Sequence, residues 1–125
     1  MSSPMLVKSN PACRPRFDFR DQRAIVTGGS RGIGRAIADA LGDAGALVYA
    51  FDVGEPEDLA GFPHEFVRID IVDTNAVKAA VAGFPQPPTL LVNNAGITRD
   101  GTIAKMSDDD WAAVLNVNLT GAFNM

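Results

Sequence analysis

Thr27-Gly28-Gly29-Ser30-Arg31-Gly32-Ile33-Gly34 stands between a short, mostly apolar run, Arg23–Thr27, and a stretch of helical periodicity that begins near Gly32. Glycines in that place let a backbone turn sharply from strand to helix and approach a ligand closely. The unpaired N–H groups at the start of the helix favour an anion such as a pyrophosphate. The spacing is G-x-x-x-G-x-G rather than the G-x-G-x-x-G of other dinucleotide folds. The loop alone is equally a tight turn with no ligand. Its flanks decide the matter, because an acid, Asp52, closes the next apolar run 18 residues after Gly34.

Outward from the loop, apolar runs alternate with helical patterns, as βαβ units of a parallel sheet do. The first helix is expected from Gly32 to about Ala44, with Ile33, Ile37 and Leu41 in one inward stripe and Ala36, Ala40 and Ala44 beside it. Arg35, Asp39 and Asp43 then fall on the solvent side, and Gly45 supplies the stop. Leu47–Phe51 reads as a strand covered on both faces. One helical turn fits around Glu57–Ala60 in the Gly- and Pro-rich segment that follows. Phe66–Ile69 is the expected third strand, and Asp73 or Thr74 caps a helix to Ala82, with Phe84 anchoring its exit. Pro85-Gln86-Pro87-Pro88 turns the chain into a fourth strand, Thr89–Val92. Ser107 with Asp110 resembles a capping box for a last helix carrying Trp111, Val114, Leu115 and Leu119. The fold class is α/β, a doubly wound parallel sheet of Rossmann type with its strands in the order 3-2-1-4.

The 125 residues suit one domain: 46% are hydrophobic and 21% charged, an ordinary globular balance. No stretch approaches a membrane span. Residues 1–16 carry Lys8, Arg14 and Arg16 and no acid, whereas the rest has 8 basic against 15 acidic residues. A body this acidic argues against nucleic acid. The basic leader reads as a disordered extension, since Pro4, Pro11 and Pro15 break the amphipathic helix that a transit peptide needs. Residues 17–125 form the domain. A single cysteine, Cys13, and a single histidine, His64, offer no disulfide and no metal cluster, so the expected setting is cytoplasmic and the expected metal content none.

Four motifs in order carry a resemblance. Thr27–Gly34 resembles the TGxxxGxG loop of the short-chain dehydrogenases/reductases, and Asp70-Ile71 follows the third strand where that family sets an acid and the next N–H against adenine. Asn93-Asn94-Ala95-Gly96 resembles its NNAG motif, and Val117-Asn118-Leu119-Thr120-Gly121 its asparagine-bearing helix. Asn93–Asp100, NNAGITRD, is especially similar to the 3-oxoacyl-ACP and acetoacetyl-CoA reductases of the family. The resemblance implies an oxidoreductase interconverting a secondary alcohol and a ketone with a nicotinamide cofactor. It implies that Gly28, Gly32 and Gly34 cradle the pyrophosphate, that Ser30, Arg31 and Ile33 among them also bind the cofactor, and that Asp70 and Ile71 lie at the adenine. Asn94 would hold the sheet while Ala95 and Gly96 lie near the nicotinamide ribose. Asn118 would be the one catalytic residue present, on a helix whose backbone bends and holds a water in a proton relay. A dimer or tetramer joined through the last helix is implied as well.

Cofactor choice rests on two residues. A carboxylate at Asp52 accepts hydrogen bonds from the adenosine ribose hydroxyls and repels a 2′-phosphate. Arg31 favours that phosphate, but an arginine can turn to solvent, so the reading is NAD over NADP. The serine and the Tyr-x-x-x-Lys pair of the family are not found: the only tyrosine, Tyr49, sits in the second strand and reads as core. The chain is therefore expected to be the cofactor-binding half of a longer enzyme acting on a small-molecule substrate. The alternative is a non-catalytic dinucleotide-binding module or an inactive fragment.

Overall fold

A computed structural model describes residues 16–125; Cys13 and nearly all of the basic leader lie outside the described residues. The strands are β1 (Arg23–Thr27), β2 (Leu47–Asp52), β3 (Glu65–Arg68) and β4 (Leu90–Val92). They pair in parallel in the order β3-β2-β1-β4, as the sequence leads one to expect. Helix α1 (Gly32–Asp43) follows β1, α2 (Thr74–Ala82) follows β3, and α3 (Asp108–Leu115) follows β4. A π-helical turn, Asn116–Gly121, continues α3 into a short final helix, α4 (Ala122–Asn124). Among the described residues no helix is long and apolar enough to cross a membrane.

Side-chain alternation along the strands builds two unlike cores. On one face Ala24, Val26 and Val48 meet Ala38 of α1, with Ile37, Leu41, Leu90 and Val92 at the margin. On the other, Ile25, Tyr49, Phe51, Ile69 and Ile71 surround Val77 of α2. Small residues on the first face let α1 lie close to the sheet. Aromatic rings fill the second: Phe84 stacks on Tyr49 at 3.9 Å between ring centroids, so Tyr49 is core and Phe84 does anchor the exit of α2. Asp73 caps α2 by accepting from the Ala76 N–H at 3.0 Å. At the far end, Arg23 Nε donates to the Pro87 carbonyl at 2.7 Å and ties the proline turn to the start of β1.

Several local expectations shift. Ile33 is 75% exposed rather than inward, because the first turn of α1 overhangs the ends of the strands and faces a cleft instead of the sheet. The buried face of α1 is Gly34 and Ala38, while Ala36 and Ala40 face solvent. Arg35 and Asp39 are not free surface residues. Arg35 pairs with Asp39 at 3.1 Å and Asp58 at 3.0 Å, and the His64 ring meets Asp39 at 2.7 Å. This chain of charges straps the β2–β3 connection to α1, and the hydrogen bond from His64 holds the Asp39 carboxyl below its usual range. The single turn in that connection is Leu59–Gly61, two residues later than expected, and β3 begins one residue earlier, at Glu65. Gly45 does end α1, at φ +100°.

The last helix carries Trp111, Leu115, Leu119 and Phe123 four residues apart, and they are 55%, 40%, 65% and 87% exposed. Such a stripe is an exposed apolar surface. The 125-residue chain by itself is expected to self-associate, and Leu119→Glu with Phe123→Glu to reduce that association, as light scattering and sedimentation would record. An unaltered monomer in both forms contradicts the expectation.

Candidate functional site

The C-terminal ends of β1, β2 and β4 open onto one cleft of about 530 Å³. Its lining includes Gly28, Arg31, Ile33 and Gly34 from the first loop, Asp52, Asp70 and Ile71 from the next two strand ends, and Asn94, Ala95 and Gly96 after β4. Residues far apart in the chain therefore meet where an open α/β sheet binds its ligand. Ten of the thirteen residues expected at the site line this one cleft. Gly32 and Asn118 adjoin it, and Ser30 is turned away from it.

The cleft is built on the side chain of Thr27, the last residue of β1, which is fully buried. Its hydroxyl donates to the Val92 carbonyl at 3.3 Å and accepts from the N–H groups of Asn94 at 3.0 Å and Ala95 at 2.9 Å. One donor and two acceptors exhaust what a hydroxyl can offer. The Asn94 amide answers by donating to the carbonyls of Thr27 at 3.0 Å and Gly28 at 3.3 Å. Asn94 thus braces the start of the glycine loop. Thr27 heads the quoted loop, yet sequence reasoning assigned it no role. The available signal was a hydroxyl residue ending a strand beside a strand that ends in asparagine.

Two glycines of the loop adopt positive φ, Gly28 at 65° and Gly32 at 56°. A Cβ on Gly28 would lie 2.9 Å from the Asn94 amide nitrogen, and one on Gly34 would overlap the Gly28 carbonyl oxygen. The floor of the cleft is therefore bare backbone, which only glycine permits. Arg31 enters α1 in extended conformation, no side chain caps that helix start, and no acid stands in its first turn. Uncapped N–H groups at the positive end of a helix, over a glycine floor, fit the pyrophosphate of a dinucleotide.

Asp52, half-buried at the end of β2, receives the Ser30 hydroxyl at 2.5 Å and the Ser30 N–H at 3.3 Å on Oδ2. Asp70 accepts the Val72 N–H at 3.0 Å, so its side chain shapes the turn after β3, while Ile71 is buried against Gly121. The Asn118 amide pairs with both backbone groups of Ile97, accepting from N–H at 2.8 Å and donating to the carbonyl at 3.0 Å. Asn124 does the same service after β3, donating to the Ile71 carbonyl at 2.8 Å. Two asparagines thus fasten the last helix to two walls of the cleft. The π-helical turn around Asn118 is the departure from regular helix expected there. Among the described residues no group of three His, Cys, Asp or Glu could hold a metal.

A family model described as short chain dehydrogenase matches residues 22–125. The acetoacetyl-CoA reductase of Shinella zoogloeoides is 45% identical over 109 residues, covering 82% of this chain and 45% of that protein. The 3-oxoacyl-(acyl-carrier-protein) reductase of Chlamydia pneumoniae is 40% identical over 113 residues, covering 82% and 46%. Among solved structures, the aldohexose dehydrogenase of Thermoplasma acidophilum superposes with a TM-score of 0.76 at 33% identity, over 85% of this chain and 42% of that one. The chain spans less than half the length of these relatives.

Replacing Thr27 by valine keeps the shape and strips the hydroxyl from two N–H groups and a carbonyl. Thr27→Val is expected to destabilise the protein by about 2 kcal/mol, and Thr27→Ser by far less. Chemical denaturation of the three forms checks this; equal stability of Thr27→Val and wild type would contradict it.

Proposed function

The chain belongs to the short-chain dehydrogenase family, and on that premise we propose that it is the cofactor-binding half of an NAD-dependent oxidoreductase interconverting a secondary alcohol and a ketone. The observation that carries this reading is the Asp52 carboxylate on the wall of a cleft floored by glycine backbone. Family membership implies a nicotinamide dinucleotide, and when bound that group supplies the carbon that gives or takes a hydride. The start of α1 holds the pyrophosphate. Asp52 accepts from the adenosine ribose hydroxyls. Against a 2′-phosphate the same carboxylate sets two like charges close together, which costs about 4 kcal/mol at 4 Å near a protein surface. The Arg31 guanidinium packs on Gly54 at the rim, where it faces solvent as much as the cleft.

Asp70 and Ile71 border the adenine, and the Ala95-Gly96 backbone runs beside the nicotinamide ribose. Asn118 acts from the far side of Gly96-Ile97: its amide fixes that strand-end backbone, and the π-helical turn it stands on carries the water of a proton relay. Tyr49 is excluded from that chemistry because it is 8% exposed and stacked in the core. We assign the proton transfer at the substrate oxygen to a tyrosine and lysine outside these 125 residues. For the substrate we favour a 3-oxoacyl thioester, which the names of the Shinella and Chlamydia relatives and the NNAGITRD segment support. An intracellular homo-oligomer is the form we expect, with the open stripe on the last helix as its contact.

Fluorescence titration of the full-length protein is expected to give tighter binding of NADH than of NADPH, with Asp52→Ala narrowing or reversing the difference. Equal or tighter NADPH binding by the unaltered protein contradicts the choice of NAD. The 125 residues alone are expected to show no turnover with any alcohol or 3-oxoacyl thioester. Activity that persists through purification would mean the proton-transferring group lies within them.

A further inference from the structure

Ser30 is grouped by its position with the residues that meet the cofactor phosphates, yet its side chain does something else. It is 3% exposed and absent from the lining of the cleft. Its hydroxyl and its own N–H converge on one oxygen, Oδ2 of Asp52, at 2.5 Å and 3.3 Å. The other oxygen, Oδ1, meets only the Gly54 N–H, at 3.4 Å, among the described residues, and so keeps acceptor capacity toward the cleft that Asp52 lines. The backbone behind Asp52 is held independently. Arg68 donates to the Val53 carbonyl at 3.2 Å and pairs with Glu55, which pins the exit from β2. What remains free in Asp52 is the rotation of its side chain, and Ser30 stops that rotation.

We propose that Ser30 is the positioning residue behind the cofactor choice of Asp52, holding the carboxylate so that Oδ1 faces the adenosine ribose. A serine hydroxyl has one proton to donate. In this structure it goes to Asp52, and the buried hydroxyl lies outside the lining of the cleft. The effect falls on the unphosphorylated cofactor, whose ribose diol gains a fixed acceptor. Without the hydroxyl only two long hydrogen bonds, from the Ser30 N–H at 3.3 Å and the Gly54 N–H at 3.4 Å, restrain the carboxylate from swinging toward solvent or toward Arg31, whose guanidinium lies against Gly54. The inference rests on the reading of Asp52 as the ribose acceptor, and it differs sharply from a role for Ser30 at the pyrophosphate. A pyrophosphate donor serves both cofactors equally, because NADH and NADPH share that group. A partner of Asp52 serves only the unphosphorylated one.

The test uses the full-length protein and compares NADH and NADPH dissociation constants for wild type, Ser30→Ala, Ser30→Cys, Ser30→Thr, Asp52→Ala and Ser30→Ala with Asp52→Ala. Ser30→Ala is expected to narrow the NADH preference about tenfold, almost wholly by weakening NADH, the size of one lost hydrogen bond to a charged group. Ser30→Cys, nearly the same size but a weak donor, should narrow it in the same direction if the alanine form folds poorly. Ser30→Thr should restore it. With Asp52 already replaced, removing the hydroxyl should change the preference less than about twofold, since nothing is left to position. Equal weakening of both cofactors by Ser30→Ala or Ser30→Cys, or no change in either, overturns the proposal while leaving Asp52 as the selector. No change on Asp52→Ala overturns the selector itself, and the positioning role with it.

Discussion

The glycine loop and the β4 end of the cleft are joined through one hydroxyl. Thr27 ends β1, and its side chain ties that strand to the end of β4 and to the backbone of Asn94-Ala95. The hydroxyl is fully buried, and it supplies the Ala95 N–H with its acceptor while reinforcing the Asn94 N–H and the Val92 carbonyl, which also pair with each other at 3.1 Å. The Asn94 amide then returns two hydrogen bonds to the start of the glycine loop. The loop can follow its left-handed path at Gly28 because both sides of it are already fixed. A ligand arriving at such a floor meets backbone that needs no rearrangement, and this is where a flexible phosphate binder would lose affinity.

Around that floor, charge is distributed so that an anion is welcome in one place and unwelcome a few ångströms away. The uncapped start of α1 faces the cleft with no acid in its first turn. At the end of β2 the sign reverses, with Asp52 half-buried and held by Ser30. A dinucleotide presents the matching pattern, two phosphates at its centre and a neutral diol toward one end. The rest of the acidic surface contributes through structure rather than recognition. Asp39 and Asp58 are engaged with Arg35 and His64, which keeps the β2–β3 connection on α1.

The two faces of the sheet solve different problems. Alanines and valines under α1 bring the helix start close to the strand ends, beside the cleft. Rings under α2 give bulk and stability, with Phe84 closing over Tyr49 and Phe51. The last helix has less of the sheet beneath it and is held instead by amides, Asn118 to Ile97 and Asn124 to Ile71. Gly121 lets it approach: a Cβ there would lie 2.6 Å from Ile71. Its outer stripe of Trp111, Leu115, Leu119 and Phe123 remains available for contacts of its own.

The order of strands, the glycine loop, the acid at the end of β2 and, of the asparagines that frame the cleft, Asn94 and Asn118 were legible in the amino-acid sequence, whereas Asn124 was not. Each legible feature is a local signal: period-two and helical patterning, turn chemistry at fixed offsets, and a motif read along a single stretch of chain. Local signals fail where a residue's surroundings come from elsewhere in the chain. Ile33 belongs by spacing to an inward stripe, but whether a strand lies beneath it depends on where the sheet ends. Arg35 and Asp39 look like solvent-facing charges until His64 and Asp58, from a distant loop, arrive beside them. Thr27 and Ser30 are the same lesson at the site itself. Both hydroxyls were visible as residues, yet a hydroxyl's role is set by the one proton it gives and the atoms that reach its lone pairs. Those atoms belong to Val92, Asn94, Ala95 and Asp52, which only the folded sheet brings within 3.5 Å.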